Sequence, residues 1–334
     1  MNYEEALEYI HGTYKFGSKL GLDNIKTLLK KLGNPEQNLQ VIHVAGTNGK
    51  GSVCSMLQSV LTSAGYKTGL YTSPYIQRFN ERIRIGEDVI PDDDLAMMTA
   101  EVKVAVEAML AEGLTHPTEF EVVTAIGFLY FAREKVDILV LEVGLGGRGD
   151  STNVIDRPLV SVITPVDYDH MEYLGNTLAA IASEKAGIIK ASCPVVVGLQ
   201  EEEAFEVIQK KADEVGAPLV KGIPEELEVH ESSLHGQVFS AVLGSRRYEK
   251  ISVSLPGLHQ VDNCLVALRV LQVLEENNHC FIPEKALRKG LETVRWMGRL
   301  EILRQDPLFI LDGAHNLAGA RTLAKSIHML LPEQ

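Results

Sequence analysis

The chain has 334 residues, 45% of them hydrophobic and 23% charged, which is the composition of a globular protein long enough for two domains or for one with a well-buried core. Its net charge of -13 argues against a general nucleic-acid binder, whose affinity comes largely from neutralising phosphates, and leaves room for small anions held by local loops. No apolar stretch approaches a membrane span and MNYEEALEYI is no signal peptide; with four scattered cysteines (Cys54, Cys193, Cys264, Cys280), the expectation is a reduced cytoplasmic monomer with no membrane contact.

In chain order, LQVIHVAG predicts a buried strand. After Ser52 the period changes: Val53, Met56, Leu57, Val60 and Leu61 recur at helical spacing until Gly65. TGLYTSP predicts a strand halted at Pro74, EFEVVTAIGFLYFAREKV a helix and DILVLEVG a strand. LVSVITPV and PVVVGL read as strands around the helix TLAAIASEKAGII, and EEAFEVIQKKADEVG as a further helix. This alternation implies an α/β protein with a mostly parallel sheet covered on both faces. Beyond Pro224 the character changes: QVFSAVL and YEKISVSL read as antiparallel strands, QVDNCLVALRVLQVLEENN and PEKALRKGLETV as helices. A new unit begins around RWMGRLEIL, with strand PLFILDG and helix NLAGARTLAKSIHML.

The stretch HVAGTNGKGS lies between the first strand and its helix. It departs from the usual phosphate loop, because Val44 stands where a glycine is expected and Gly51 separates Lys50 from Ser52. Glycine-rich turns are often mere tight connections. A lysine at a helix entrance, however, is unhelpful unless an anion sits there. The amides of Asn48, Gly49 and Gly51 could surround phosphates while Ser52 takes Mg²⁺.

A rival signal is VLEVGLGGRGD, where Gly144, Gly146 and Gly149 have the dinucleotide spacing after a strand, with Asp167 or Asp169 near the expected acidic position. The helix that this fingerprint requires is missing, since DSTNVIDRP is polar and ends in Pro158. Glu142, His170 and Ser73 lie at or just beyond strand ends, which in a parallel sheet gather on the edge where the phosphate loop opens; oxygen ligands with one imidazole suit Mg²⁺. Taken singly, Glu142 would more simply pair with Arg148, and His170 would be a surface or capping residue. Lys185, by periodicity, reads as a surface lysine.

Taken together, HVAGTNGKGS, TSPYIQRFNERIRI, LEVGLGGRGDSTN, DHMEYLG, IASEKAGIIK, GLHQVDN and LDGAHN resemble, in order and across nearly the whole chain, the folylpolyglutamate synthase/dihydrofolate synthase family of the Mur ligase superfamily. The glycine between lysine and serine is the form of phosphate loop this family uses. The resemblance implies a P-loop ATPase-like domain over residues 1–295 and the start of an incomplete Rossmann-like domain over 296–334. It implies a ligase using ATP and Mg²⁺ to add L-glutamate to folates (tetrahydrofolate derivatives) through an acyl phosphate, with dihydropteroate a second candidate acceptor. Thr47, Asn48, Gly49, Lys50 and Gly51 would hold the nucleotide phosphates and Ser52 a first Mg²⁺. Ser73, Glu142 and His170 would hold a second, and Lys185 would be carbamylated; Lys50, His170 and Lys185 are thus the expected catalytic residues. Asn263, Arg299, Asp312 and His315 would close over the nucleotide, and FNERIRI would form part of the folate-side loop.

Departures from the family pattern also carry expectations. Tyr75 replaces a histidine common after the SP pair. Gly149 replaces a common leucine and thereby creates the dinucleotide spacing. After RWMGRLEIL only one strand, a hairpin-like stretch and one helix remain, too little for an independent core. The expectation is a fragment of a longer chain, impaired in ligation, with the apolar face of LAGARTLAKSIHMLL exposed. Two other classes stay open: an NAD-dependent oxidoreductase using GLGGRG, and a non-catalytic nucleotide- or folate-binding fragment.

Overall fold

The computed structural model describes residues 1–17 and 20–331. Eight strands form the central sheet: β1 (Val41–Ala45), β2 (Thr68–Tyr71), β3 (Ile83–Ile85), β4 (Asp88–Val89), β5 (Ile138–Glu142), β6 (Val160–Ile163), β7 (Val195–Val197) and β8 (Leu219–Lys221). Their spatial order is β4-β3-β2-β5-β1-β6-β7-β8. The pairs from β2 to β8 are parallel, and β3 and β4 extend one edge antiparallel. β1 and β5 are buried at every position, as parallel strands covered on both faces must be.

One face carries α1 (Tyr3–Gly12), α2 (Asp23–Lys31), α4 (Asp92–Ala111) and α5 (Glu119–Glu134), packed over Leu139 and Leu141 of β5. Two of these helices start on reciprocal caps. Asn2 accepts from the Glu5 amide and Thr118 from that of Glu121, and each glutamate accepts in return from the capping residue's N–H. The other face carries α3 (Lys50–Ser63), α9 (His259–Glu276) and α10 (Glu284–Thr293) over Ile42, Val44 and Val140. A third cluster lies under α7 (Leu178–Lys185) and α8 (Glu202–Val215), beyond the one-turn helix α6 (Met171–Leu174).

A separate antiparallel sheet, β9 (Glu226–Ser233), β10 (Gly236–Leu243) and β11 (Arg246–Val253), packs its middle strand against α9. β9 is invisible to periodicity because every one of its residues is exposed, so ELEVHESS has no buried face to pattern. The last unit is the hairpin β12 (Glu301–Gln305) and β13 (Leu308–Leu311), leading into α11 (Leu317–Leu330). As expected, α11 leaves apolar side chains uncovered: Leu317 is 65% and Met329 43% exposed.

One core feature has a pH signature. His43 on β1 is fully buried, and its Nε2 lies 2.9 Å from Thr152 Oγ1. That hydroxyl gives its own proton to Asp150 Oδ1, so the imidazole must donate from Nε2. Burial, with Lys190 nearby, pushes its pKa down to about 3 from 6.5. A base depressed in the fold binds protons preferentially when unfolded below pH 6.5; its contribution is complete above that value and is lost as pH falls toward 3. Relative to His43→Gln, the wild type should lose about 1.4 kcal/mol per pH unit on acidification below that point, read from urea unfolding at a series of pH values.

Candidate active site

The carboxyl ends of β1, β2, β5 and β6 share one edge of the sheet, and the loops leaving them meet there. Gly46 and Gly49 have φ of +149° and +85°, conformations open to glycine. A Cβ on Gly49 would strike the Asn263 side chain, and one on Gly51 would come within 2.7 Å of the Trp296 ring nitrogen. The loop is therefore closed in by α9 on one side and by the segment before β12 on the other. The Thr47 amide donates to the Pro165 carbonyl (2.9 Å), and Thr47 Oγ1 bonds both the N–H and C=O of Asp167. One expectation is corrected here: the Asn48 amide also donates to Pro165 (3.3 Å) instead of pointing into the loop. The amides at 50–52, in the first turn of α3, have no intrahelical acceptor and supply the anion-binding end.

Lys50 folds over this turn, its ammonium donating to the carbonyls of Gly46 and Thr47, both at 3.1 Å. Ser52 is buried and its hydroxyl oxygen has no partner among the described residues. A lone buried hydroxyl at the end of a phosphate loop fits the coordination of a hard cation such as Mg²⁺. Glu142 lies beside Val44 in register, and its Oε2 accepts from the Ser73 amide at 3.1 Å. Burial raises its pKa, opposed by Lys50, the Ser73 N–H and Arg299. Glu142 does not pair with Arg148, which reaches Glu184 (3.5 Å) and Ser183 instead. His170 stands apart. Its backbone is left-handed at φ 48°, its ring is half exposed, and it lies 3.8 Å from Asp169 with no hydrogen bond to Glu142 or Ser73. Among the described residues no group of three or more His, Cys, Asp or Glu gathers into a metal cage. A cation here would draw on Ser52, Ser73 and Glu142, with its remaining ligands from phosphate or water.

Lys185 overturns its reading as a surface lysine. It is 4% exposed, and its ammonium donates to the Gly46 carbonyl at 2.9 Å. Burial, then repulsion from Lys50, lowers its pKa to about 7. Helical periodicity misses it because α7 turns this face toward the phosphate loop rather than to solvent. Gly147 secures that docking: a Cβ there would come within 2.6 Å of the Glu184 carbonyl. The glycines of this stretch serve close packing: Gly144 lies against Phe120, Gly146 against Leu174 and Gly147 against the end of α7. Beyond Gly149 the chain makes a single 3-10 turn over Ser151–Val154, so the dinucleotide helix is absent.

The distant motifs arrive at the same edge. Asn263 flanks Gly49. Asp312 accepts from the amides of Leu300 (3.0 Å) and Ala314 (2.8 Å), tying the two ends of the hairpin together. Arg299 Nη1 donates to the Gly298 carbonyl at 3.2 Å and comes near enough to act on Glu142. His315 is exposed, with Nε2 at 3.5 Å from Asp169. The side chain that joins the units, Asn316, is one that sequence reasoning did not single out: it exchanges hydrogen bonds with Asn48 and donates to Asp169 Oδ2 at 3.0 Å. Its only sequence signal is membership of LDGAHN.

The profile of the Mur ligase middle domain matches residues 44–271. A dihydrofolate synthase/folylpolyglutamate synthase of Bacillus subtilis is 43% identical over 97% of this chain and 76% of its own length. The folylpolyglutamate synthase of Lacticaseibacillus casei is 40% identical over 100% of this chain and 78% of its own. A solved FPGS complex with AMPPCP and folate superposes with a TM-score of 0.93 at 39% identity, covering 100% of this chain and 82% of that one. With the profile matching more than half of the chain and these relatives aligned over nearly all of it, the chain belongs to the folylpolyglutamate synthase/dihydrofolate synthase family of Mur ligases.

Proposed function

We propose that this chain is an ATP-dependent ligase that joins L-glutamate to a folate in amide linkage, and that the residues gathered at the sheet edge carry out the reaction. One observation carries the assignment of roles: the Gly46 carbonyl accepts from both Lys50 and Lys185. Two ammonium groups on one carbonyl repel each other, and the conflict is relieved when Lys50 faces phosphate and Lys185 is neutral or acylated.

The carboxylate of the acceptor attacks the γ-phosphorus of ATP, forming an acyl phosphate and releasing ADP. The amine of glutamate then attacks the acyl carbon, inorganic phosphate leaves and a proton is lost. Lys50 and the first amides of α3 hold the transferring phosphoryl group, a fixed positive environment that needs no rearrangement as charge moves. Ser52, Ser73 and Glu142 would hold Mg²⁺, which would supply neutralisation of phosphate charge. Asp312, Arg299 and His315 approach the nucleotide from the C-terminal unit, whose beginning we place at residue 296, and Asn263 from α9. No described helix is long and apolar enough to cross a membrane; the free cysteines and the use of ATP support the cytoplasm as the place of action.

The test is ADP release with tetrahydrofolate or dihydropteroate as acceptor, with and without glutamate. Release that requires both acceptor and glutamate is expected, and the acceptor used separates the two synthase activities. Calorimetry should show Mg-ATP binding and no saturable NAD or NADP binding. Tight NAD binding abolished by changing Gly144 or Gly146 would restore the oxidoreductase reading, and ATP binding without turnover the non-catalytic one.

A further inference from the structure

The C-terminal unit carries Arg299, Asp312 and His315, yet little burial holds it in place. In α11 only Ser326 is buried, while Leu317 and Met329 face solvent. Among the described residues, every hydrogen bond between 296–331 and the rest of the chain runs through one side chain, that of Asn316.

An amide side chain has two donors and two acceptor lone pairs, and Asn316 uses all four. Its Nδ2 donates to Asn48 Oδ1 at 3.1 Å and to Asp169 Oδ2 at 3.0 Å. Its Oδ1 accepts from Asn48 Nδ2 at 3.4 Å and, as the N-cap of α11, from the Gly319 amide at 2.8 Å. Both partners are held from behind: the Asn48 amide donates to the Pro165 carbonyl, and Asp169 Oδ1 accepts from the His170 amide at 2.9 Å. One side chain thus ties the phosphate loop, the connection from β6 to α6 and the start of α11 together.

We propose that Asn316 is the positioning residue that docks the C-terminal unit on the phosphate loop, and that its bonds to Asn48 and Asp169 couple docking to nucleotide binding. The loop that receives the phosphates is the loop that receives Asn316. Whichever event comes first therefore favours the other, by the same factor in both directions. When docking is weakened, apparent nucleotide affinity falls in proportion to the docked fraction, and saturating nucleotide restores the docked form. The consequence for ATP rests on the ligase reading above, which sets Arg299, Asp312 and His315 against the nucleotide; the docking itself does not.

Asn316→Asp keeps the cap on Gly319, since a carboxylate accepts there as an amide does, but it sets a like charge against Asp169 Oδ2. Combined with Asp169→Asn, donor and acceptor change places and the pair can re-form. The wild type, both single variants and the double variant make a cycle that isolates this contact. Trp296, the one tryptophan in the chain, lies over Gly51 where the unit meets the loop, so acrylamide quenching of its fluorescence without nucleotide reads docking. Calorimetry with Mg-ATP and steady-state ADP release read the coupling. Asn316→Asp alone should increase quenching and weaken Mg-ATP by about tenfold, as a docked fraction cut to about a tenth requires, with kcat at saturating ATP lowered less than about threefold. In the Asp169→Asn background the same substitution should leave quenching near its starting value and change affinity less than about threefold. Quenching unchanged by Asn316→Asp, or shifted equally in both backgrounds, overturns the docking role. Altered quenching with unchanged ATP affinity overturns the coupling. No Mg-ATP binding or no glutamate-dependent ADP release by the wild type would instead overturn the ligase reading, and the quenching comparison would still decide the docking.

Discussion

Lys50→Ala should lower ATP-dependent turnover by roughly 100- to 1,000-fold, the scale on which single preorganised charge-stabilising groups act. The side chain packs into no hydrophobic cluster; its ammonium touches two loop carbonyls, and losing those contacts should cost stability about 1 kcal/mol. Steady-state ADP release beside urea unfolding separates the two effects. Because Lys50 is a source of the downward pressure on Lys185, the same substitution should also move the Lys185 pKa upward. Unchanged ATP affinity and rate would remove the phosphate-loop assignment.

Lys185→Ala should lower turnover by a comparable factor, with partial recovery on adding small carboxylates such as acetate. The reason lies in the protonation state. With a pKa near 7, a substantial share of the amine is unprotonated at neutral pH and can add to CO₂, forming a carbamate with loss of a proton. The product replaces a cation 2.9 Å from the Gly46 carbonyl by a carboxylate-like group near Lys50, converting the repulsion between the two lysines into attraction. Acetate in the space vacated in the alanine variant restores such a group. Intact-mass measurement under bicarbonate and a well-resolved density map should both find the added carboxyl on Lys185 Nζ. An unmodified lysine whose replacement leaves the rate intact would return it to a purely structural role.

Most of the α/β scaffold is legible without coordinates. The period change at Ser52 places α3, the uniform apolar runs identify β1, β5 and β6 as doubly covered strands, and the missing helix after Gly149 argues against a dinucleotide site, as the 3-10 turn there bears out. Local spacing carries such information because backbone periodicity and hydrogen-bonding needs are properties of a few consecutive residues. The phosphate loop belongs to this class: strand, loop and helix are contiguous, so Lys50 and Ser52 can be named from residues 43–52.

Only the tertiary structure decided the rest, because it depends on which faces meet. Lys185 has the same local pattern whether its face of α7 meets water or Gly46, and burial alone converts it from an ordinary cation to a group titrating near neutrality. Whether Glu142 paired with Arg148 or with the Ser73 amide turned on strand register across the sheet. Asn316, 268 residues from Asn48, became a bridge only once the hairpin β12–β13 brought α11 to the phosphate loop. Periodicity is local and fixes elements; charge environment is a sum over the whole fold and fixes chemistry.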